Sequence, residues 1–346
     1  MSTELPLRPE EFDPRWVENV FGAPSESLLS MTHKPVGTGQ VCDSFRFTCD
    51  WQDESYPASF IAKCPSADPI SRGAAAIFHL YDMEIGWYRD VAGRSGVGCP
   101  KCYHAAIGED ETQFVLMLED MAPAEQGDQL AGATLVQVET TLREAAGLHS
   151  FRPDGGFETF TWLHHAADNV AFTQQTLTNG YPVFKERFAK LLSPEILDIG
   201  QQLVDRFESY IGHEPQEQTI THGDMRLDNI LFHEDGQLAA LVDWQTCSFG
   251  NPANDVAYMI GTSFADPAIR CAEEKRLVQY YLGQRDNGPD FDPFWQEYRR
   301  HAFSGFIMAI NASLHVEQTD RGDRMFAAMA ERPAQMALDL DSLSLL

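Results

Sequence analysis

Two short apolar runs, separated by a turn signal and bordered by polar side chains, constrain the fold of this chain more than any other feature. The first run, NILF, begins at Asn229, and the second, LAALV, begins at Leu238. Both are apolar enough for buried strands, and an Asp-Gly pair between them favours a β-hairpin. If Phe232 lies opposite Leu238, antiparallel pairing places Asn229 opposite Leu241. The start of the first strand and the end of the second should therefore meet.

Three oxygen-bearing side chains belong to that end of the predicted hairpin. Asn229 opens the first strand, Asp243 follows the second, and Asp224 lies in the preceding loop, five residues before Asn229. Mg²⁺ is commonly bound by one or two carboxylates, an amide oxygen and substrate phosphates. Protein kinases use an Asp that accepts a hydroxyl proton, an Asn five residues later on the metal, and a second metal-binding Asp. The order predicts a phosphoryl-transfer site with Asp224 as base and Asn229 and Asp243 on the metal.

The loop around Asp224 resembles the His-x-Asp-x-x-x-x-Asn loop of the aminoglycoside phosphotransferase and choline-kinase-like superfamily, with His222, Asp224 and Asn229 at the matching positions. The segment THGDMRLDNILF, followed by VDWQ, resembles the sequences of the bacterial branch related to ecdysteroid-kinase-like proteins. The resemblance implies ATP and Mg²⁺ as cofactors and a hydroxyl of a small molecule as phosphate acceptor. It also implies that His222 orients the loop and is not the base.

Two neighbours of the base have more than one interpretation. Arg226 stands two residues after Asp224, where protein kinases place a Lys. It could contact the transferred phosphate, or it could be a surface Arg that holds the loop. Asp228 could make a second metal contact or cap the loop.

A Lys and a Glu upstream predict the nucleotide end of the site. Lys63 ends the apolar strand SFIAK, and a helical pattern between residues 74 and 92 places Glu84 on its apolar stripe. The other members of that stripe are Ile77, Tyr81, Tyr88 and Val91. A buried carboxylate is costly unless it is paired, so Lys63 is the expected partner, as in the kinase pair that positions phosphates. The alternative is that both charges lie at solvated edges.

Two further segments are candidates for nucleotide contacts. Gly37 and Gly39 could form a turn whose amides approach phosphates, or they could serve simple hairpin geometry. The run FVLMLEDM ends a buried strand in polar residues, and the resemblance implies an adenine-binding hinge there, with Glu119 and Met121. We therefore predict a nucleotide-binding N-lobe over residues 1–118, a hinge over 119–124 and a helical C-lobe over 125–346. The motif of P-loop NTPases is absent from the sequence.

Helical patterns dominate after the hinge, over residues 135–150, 184–210, 272–282 and 294–315. The fold class is therefore α+β, a protein-kinase-like bilobal fold with an antiparallel N-lobe sheet. His149 is expected to be a packing residue, and Asp255 a helix-start residue with a supporting role. The aromatic and Met-rich segment 294–314 favours an apolar acceptor over a polycation, although such residues could equally be core.

Composition excludes several classes of partner. The net charge of −27, from 25 basic and 52 acidic residues, disfavours nucleic acid and anionic membranes. Neither a signal peptide nor eighteen consecutive apolar residues occur in the sequence, so we predict a cytoplasmic protein without membrane insertion. Seven cysteines fit reduced thiols, and the CPKC run at Cys99 lacks a second ligand pair for zinc.

Two other functions remain as alternatives. A nucleotide-binding pseudokinase that senses or scaffolds would not need the base Asp224. A metal-dependent hydrolase could use Asp224 and Asp243 to activate water, but it would leave the pairing of Lys63 with Glu84 unexplained.

Overall fold

The computed structural model describes residues 5–37, 41–165, 170–314 and 318–346. The strands in this part of the chain are β1 (Leu28–Pro35), β2 (Cys42–Trp51), β3 (Ser59–Pro65), β4 (Cys102–Ile107), β5 (Phe114–Glu119), β6 (Glu125–Gln126), β7 (Thr219–Thr221), β8 (Ile230–Phe232), β9 (Leu238–Leu241) and β10 (Ser248–Gly250). The α-helices there are α1 (Pro14–Phe21), α2 (Pro69–Ile77), α3 (Leu80–Gly86), α4 (Ala92–Ser95), α5 (Leu135–Ser150), α6 (Val170–Phe188), α7 (Pro194–Asp205), α8 (Phe207–Ile211), α9 (Ala253–Ser263), α10 (Pro267–Gln284), α11 (Phe291–Arg300), α12 (Ser304–Ser313) and α13 (Asp320–Asp339).

The chain divides into two compact units. The N-terminal unit comprises residues 1–94, 99–122 and 243–245, and the C-terminal unit comprises residues 95–98, 123–242 and 246–346. With its antiparallel sheet and many helices, the structure has the α+β class predicted for a protein-kinase-like bilobal fold. No helix among the described residues is both long enough and apolar enough to span a membrane.

An antiparallel sheet with strand order β1-β2-β3-β5-β4 forms the centre of the N-terminal unit. Side chains alternate between the faces of a strand, and Phe60, Ala62 and Cys64 of β3 point into a core that also contains Val17 of α1. Lys63 lies between these core positions and therefore projects from the opposite face. The alternation of β3 thus separates the lysine from the apolar core.

The helix predicted between residues 74 and 92 is broken. It consists of the end of α2, all of α3, a π-helical stretch over Trp87–Val91 and the start of α4. His79 has a φ of 55°, and this left-handed residue ends the helical path before α3. The prediction that Ile77 is buried was wrong, because its side chain is 69% exposed. The other stripe members, Tyr81, Glu84, Tyr88 and Val91, are buried as predicted.

The predicted hairpin is present in the C-terminal unit, where β8 pairs with β9 in a sheet of order β6-β8-β9. Phe232 pairs with Leu238 as expected, but a bulge follows, and Ile230 pairs with Leu241. Ala239 is the extra residue, so the register of Asn229 differs from the prediction. The amide of Val242 donates to the carbonyl of Asn229 at 3.0 Å. The first strand therefore starts opposite the residue that precedes Asp243.

Local signals explain which predicted helices are accurate. Helix α5 has the predicted bounds because Thr134 and Gln137 form a capping box at its start. The single helix predicted over residues 184–210 is instead divided among α6, α7 and α8, with Pro194 at the first turn of α7. A 3-10 turn over His301–Phe303 likewise divides the predicted helix 294–315, whose last residue, His315, lies outside the described residues.

The segment on which the apolar acceptor was predicted lies mostly inside the protein. Five of its aromatic and aliphatic residues are at most 2% exposed, namely Phe294, Tyr298, Phe303, Phe306 and Ile310. Buried core residues do not line a substrate site, so they give no support to the prediction of an apolar acceptor.

Candidate active site

The N-terminal unit holds Lys63 among acidic side chains. Its Nζ lies 2.6 and 2.7 Å from the two Glu84 oxygens and 3.1 Å from Asp243 Oδ1. Glu84 is completely buried, whereas the Asp243 side chain is 38% exposed. Burial alone would lower the pKa of Lys63, but the carboxylates around it raise that pKa well above its ordinary value. The predicted pairing of Lys63 with Glu84 is therefore present, and the ammonium group is charged.

The segment Asp243–Gln245 belongs to the N-terminal unit. Gln245 Nε2 donates to Glu84 Oε2 at 3.3 Å and to Cys42 Sγ at 3.4 Å. The ring of Trp244 stacks on Trp87, with centroids 3.5 Å apart. Asp243 itself has a φ of 67°, a left-handed conformation that Asp adopts more readily than most residues. These contacts direct the Asp243 carboxylate towards Lys63.

The other predicted nucleotide contacts are less defined by the structure. Gly37 has a φ of 74°, so the turn after β1 requires glycine, while Gly39 lies outside the described residues. Glu119 is exposed at the end of β5, and its backbone amide donates to the carbonyl of Lys101 at 2.8 Å. Met121 is half-buried. Their roles in binding nucleotide stay predictions.

The C-terminal unit contains Asp224, and donors occupy both of its carboxylate oxygens. Tyr258 donates its hydroxyl to Oδ1 at 2.6 Å. Asn229 Nδ2 and Arg226 Nε donate to Oδ2 at 2.8 and 3.0 Å. Three hydrogen bonds, distributed over both oxygens, fix the orientation of this carboxylate.

Arg226 joins the two acidic side chains of the loop. Besides Asp224, it donates from Nη1 to Asp228 Oδ2 at 2.8 Å and to Met325 Sδ at 3.3 Å. Burial opposes its charge, but Asp224 leads the groups that raise the pKa of Arg226 above its ordinary value. Asp228 also accepts from the amide of Gln129 at 3.3 Å. Arg226 therefore holds the loop in this structure, and Asp228 is bound to protein donors.

His222 and Asn229 set the geometry of the loop from its two ends. The His222 ring lies 3.1 Å from the carbonyl of Val242 through Nε2, and the amide of Asp224 donates to Nδ1 at 3.4 Å. Because a carbonyl only accepts, the proton of the neutral ring belongs on Nε2. Asn229 Nδ2 donates to both the carbonyl and the carboxylate of Asp224. The amide oxygen of Asn229 is therefore the atom suited to a metal.

Asp255 supports the backbone of the same loop. It accepts from the amides of His222 at 2.6 Å and of Gly223 at 2.9 Å, and it contacts His149 Nε2 at 3.2 Å. His149 is fully buried and also lies 2.8 Å from the hydroxyl of Tyr281. Burial lowers the pKa of His149, so its ring is neutral. His149 is thus a packing and hydrogen-bonding residue, as expected.

Within the described residues, no group of three or more His, Cys, Asp or Glu side chains is arranged to hold a metal ion. Cys102 begins β4, and the preceding residues of the CPKC run lead into that strand. Mg²⁺ rarely uses an all-protein cage and takes most of its remaining ligands from water and substrate phosphates. The partly exposed Asp243 carboxylate of the N-terminal unit is the kind of oxygen ligand that such an ion accepts.

Comparison with known families identifies the class of this protein. Residues 78–299, well over half of the chain, match the model of the phosphotransferase enzyme family. The chain belongs to this family, and the predicted aminoglycoside phosphotransferase and choline-kinase-like superfamily is confirmed. The narrower ecdysteroid-kinase-like branch stays a prediction.

Solved structures show the same fold at low sequence identity. The GDP complex of aminoglycoside 2'-phosphotransferase-IIIa is 15% identical, with a TM-score of 0.56, and the match covers 92% of this chain and 97% of that one. The gentamicin complex of APH(2'')-IIa is 14% identical, with a TM-score of 0.54 and coverage of 96% and 99%.

Curated relatives match over short stretches only. Acyl-CoA dehydrogenase family member 10 of Mus musculus is 47% identical over 49 residues, which are 13% of this chain and 5% of that protein. Member 11 of Homo sapiens is 36% identical over 59 residues, 17% of this chain and 8% of that protein. The matches thus cover less than a tenth of either relative.

Sequence reasoning missed Gln245, Gln129 and Tyr258. Gln129 Oε1 accepts from the amide of Leu227 at 3.0 Å, so it binds the loop beside Asp224. Tyr258 stands three residues after Asp255, and this helical spacing was a signal that it shares a face with a loop-binding residue. Gln245 and Gln129 gave no comparable signal in the sequence.

Proposed function

We propose that this phosphotransferase is an ATP- and Mg²⁺-dependent kinase that phosphorylates a hydroxyl group of a small molecule. The observation that supports this most strongly is the buried pair of Lys63 with Glu84, together with the contact of Lys63 to Asp243. Protein kinases use such a strand Lys and helix Glu to position phosphates. A hydrolase that only activates water has no use for it.

Each residue has a role in this proposal. Lys63, held by Glu84, positions the α- and β-phosphates, and Asp243 and the amide oxygen of Asn229 bind the metal. When bound, Mg²⁺ neutralises developing charge on the phosphate oxygens. Asp224 orients the acceptor hydroxyl and takes its proton.

The bonds and charges balance in this reaction. The acceptor oxygen forms a bond to the γ-phosphorus as the bond from that phosphorus to the departing ADP oxygen breaks. The hydroxyl proton passes to the Asp224 carboxylate, which the structure holds with three donors. Arg226 keeps its place on Asp224 and Asp228, or turns to the transferred phosphate. The first geometry is the one in the structure.

Structures of similar proteins contain a nucleotide together with a small molecule, but the small molecule differs from one protein to the next. APH(2'')-IIa has been solved with streptomycin and ATP, and APH(9)-Ia with ADP and spectinomycin. We further propose that the backbone at Gly37 contacts the phosphates and that Glu119 and Met121 contact the adenine; the same role for Gly39 rests on the sequence alone.

The test is ADP release from MgATP across a library of hydroxyl compounds that includes aminoglycosides and acyl-derived alcohols. Asp224→Asn should retain MgATP binding and lose about two or more orders of magnitude in turnover, because it removes the base. Asp235→Asn, an exposed change in the hairpin turn, is the matched control. Binding of MgATP without turnover by the wild type would indicate a pseudokinase, and absence of binding would favour a hydrolase.

A further inference from the structure

Helix α9 contacts the loop 222–229 at two positions that are three residues apart. Asp255 binds the backbone amides of His222 and Gly223, and Tyr258 binds the carboxylate of Asp224 at 2.6 Å. Residues three apart lie on the same face of a helix. Every residue of α9 from 255 to 263 is buried, so both contacts come from one rigid element.

The contact from Tyr258 differs in kind from the other two hydrogen bonds to Asp224. Asn229 and Arg226 both donate to Oδ2 and belong to the same loop as Asp224. Tyr258 alone of the three donates to Oδ1, and it comes from outside that loop. A carboxylate has about four lone-pair sites, and donors at both oxygens fix the rotation of the group about its Cβ–Cγ bond.

We propose that Tyr258 is a positioning residue for phosphoryl transfer, whose hydroxyl sets the rotation of the Asp224 carboxylate so that it faces the acceptor hydroxyl. The inference rests on the proposed function, because only a reacting hydroxyl gives the orientation of Asp224 a purpose. Tyr258 donates a hydrogen bond throughout and keeps its proton, while Asp224 receives the proton of the acceptor. Burial, followed by the charge of Asp224, raises the pKa of Tyr258 well above its ordinary value, so the phenol stays protonated.

A purely structural role is the competing explanation, because a buried phenol normally requires a hydrogen-bond partner. Tyr181 provides a matched control within the same unit. It is fully buried and donates to the backbone carbonyl of Leu197 at 2.5 Å, away from the loop 222–229. Tyr258→Phe and Tyr181→Phe each delete one buried phenol hydrogen bond, so each should cost similar stability. Only the first should affect the chemistry.

The experiment measures kcat and KM for MgATP in the full chain, with the best acceptor from the hydroxyl library. Tyr258→Phe should lower kcat about tenfold to a hundredfold, since small misplacement of a reacting group has effects of this size. KM for MgATP should stay within about twofold. Tyr181→Phe should leave both constants within about twofold. A Tyr258→Phe enzyme with the kcat of Tyr181→Phe would overturn the inference.

The double variant Tyr258→Phe/Asp224→Asn separates positioning from a general loss of stability. If Tyr258 acts through Asp224, the double variant should have the kcat of Asp224→Asn alone, because the effects of residues that act as a unit do not add. A further loss in the double variant would contradict the inference. If the wild type transfers no phosphate and Asp224→Asn changes nothing, the proposed function fails, and the inference fails with it. If Asp224→Asn loses turnover but Tyr258→Phe behaves like Tyr181→Phe, the inference fails and the proposed function stands.

Discussion

Removing the charges of Lys63 and Glu84 one at a time, and then together, separates their contribution to stability from their contribution to binding. The ammonium group is bonded to both Glu84 oxygens and to Asp243. Breaking a buried ion pair from one side costs about 3–5 kcal/mol, because it leaves the other charge buried and unpaired. The loss of stability in Glu84→Leu should lie at the lower end of this range, since Lys63 keeps the partly exposed Asp243 as a partner. Lys63→Met leaves Glu84 completely buried, with the amide of Gln245 nearby.

The Lys63→Met variant should also acquire a characteristic pH dependence. Burial raises the pKa of Glu84 above 4.5 even in the wild type, where Lys63 opposes the shift. Without Lys63, Glu84 should be a neutral acid in the folded state. Its contribution to stability is then complete below the unfolded pKa and is lost as the pH rises through the folded pKa. Relative to the wild type, Lys63→Met should therefore be more stable at about pH 5 than at about pH 8.

The double variant Lys63→Met/Glu84→Leu should recover most of the stability but none of the nucleotide affinity. Replacing a whole buried pair by apolar side chains of similar volume is often neutral or stabilising. We expect the double variant to be at least about 3 kcal/mol more stable than the sum of the single losses implies. MgATP binding should stay weak in all three variants, because each lacks the proposed phosphate-positioning pair.

Hydrogen exchange of the β3 amides is the appropriate stability assay, since it reports opening of the N-terminal unit without contributions from the other unit. Calorimetry measures MgATP binding. Lys101→Met, an exposed lysine in the same unit, is the control and should change stability by no more than about 0.5 kcal/mol. Additive losses in the double variant would show that the two residues are not coupled. Full MgATP affinity in the double variant would show that Lys63 does not bind the nucleotide.

Two further predictions concern Asp243 and His301. Asp243→Asn, which suits the left-handed backbone better than Ala, should weaken MgATP binding more than metal-free ATP binding in calorimetry; equal weakening would place the metal elsewhere. Burial, followed by the charge of Arg300, lowers the pKa of His301 from 6.5 to about 3. Its stabilising effect is thus present above pH 6.5 and lost as the pH falls towards 3. In urea unfolding, the wild type should lose about 2 kcal/mol more than His301→Gln between about pH 7 and pH 5, and parallel losses would contradict this.

The sequence predicted the structure best where one arrangement has a much lower free energy than its alternatives. A carboxylate on the apolar stripe of a helix needs a partner, and Glu84 meets Lys63 as that reasoning requires. The helical pattern over residues 135–150 similarly matches α5, whose start is fixed by the capping box at Thr134. In the loop 222–229, Asn229 donates to Asp224, while its predicted binding of a metal stays a prediction.

The sequence predicted poorly where neighbouring conformations have similar free energies. The bulge at Ala239 changes the hairpin register with no special residue to announce it. His79 adopts a left-handed conformation that glycine usually provides, and Ile77 before it is exposed. Tyr258 was missed because a tyrosine within an apolar helix has the same pattern as a core residue. Its hydrogen bond of 2.6 Å to Asp224 distinguishes Tyr258 from a core residue.

The division of the chain into two units predicts different kinetic effects for substitutions of the proposed active-site residues. Lys63, Glu84 and Asp243 all belong to the N-terminal unit, although Asp243 comes 180 residues after Lys63 in the sequence. Asp224 and Tyr258 belong to the C-terminal unit. Because each group is organised by hydrogen bonds within its own unit, a change in one need not disturb the geometry of the other. Changes near Lys63 should therefore act on nucleotide affinity, and changes near Asp224 on kcat at unchanged nucleotide affinity.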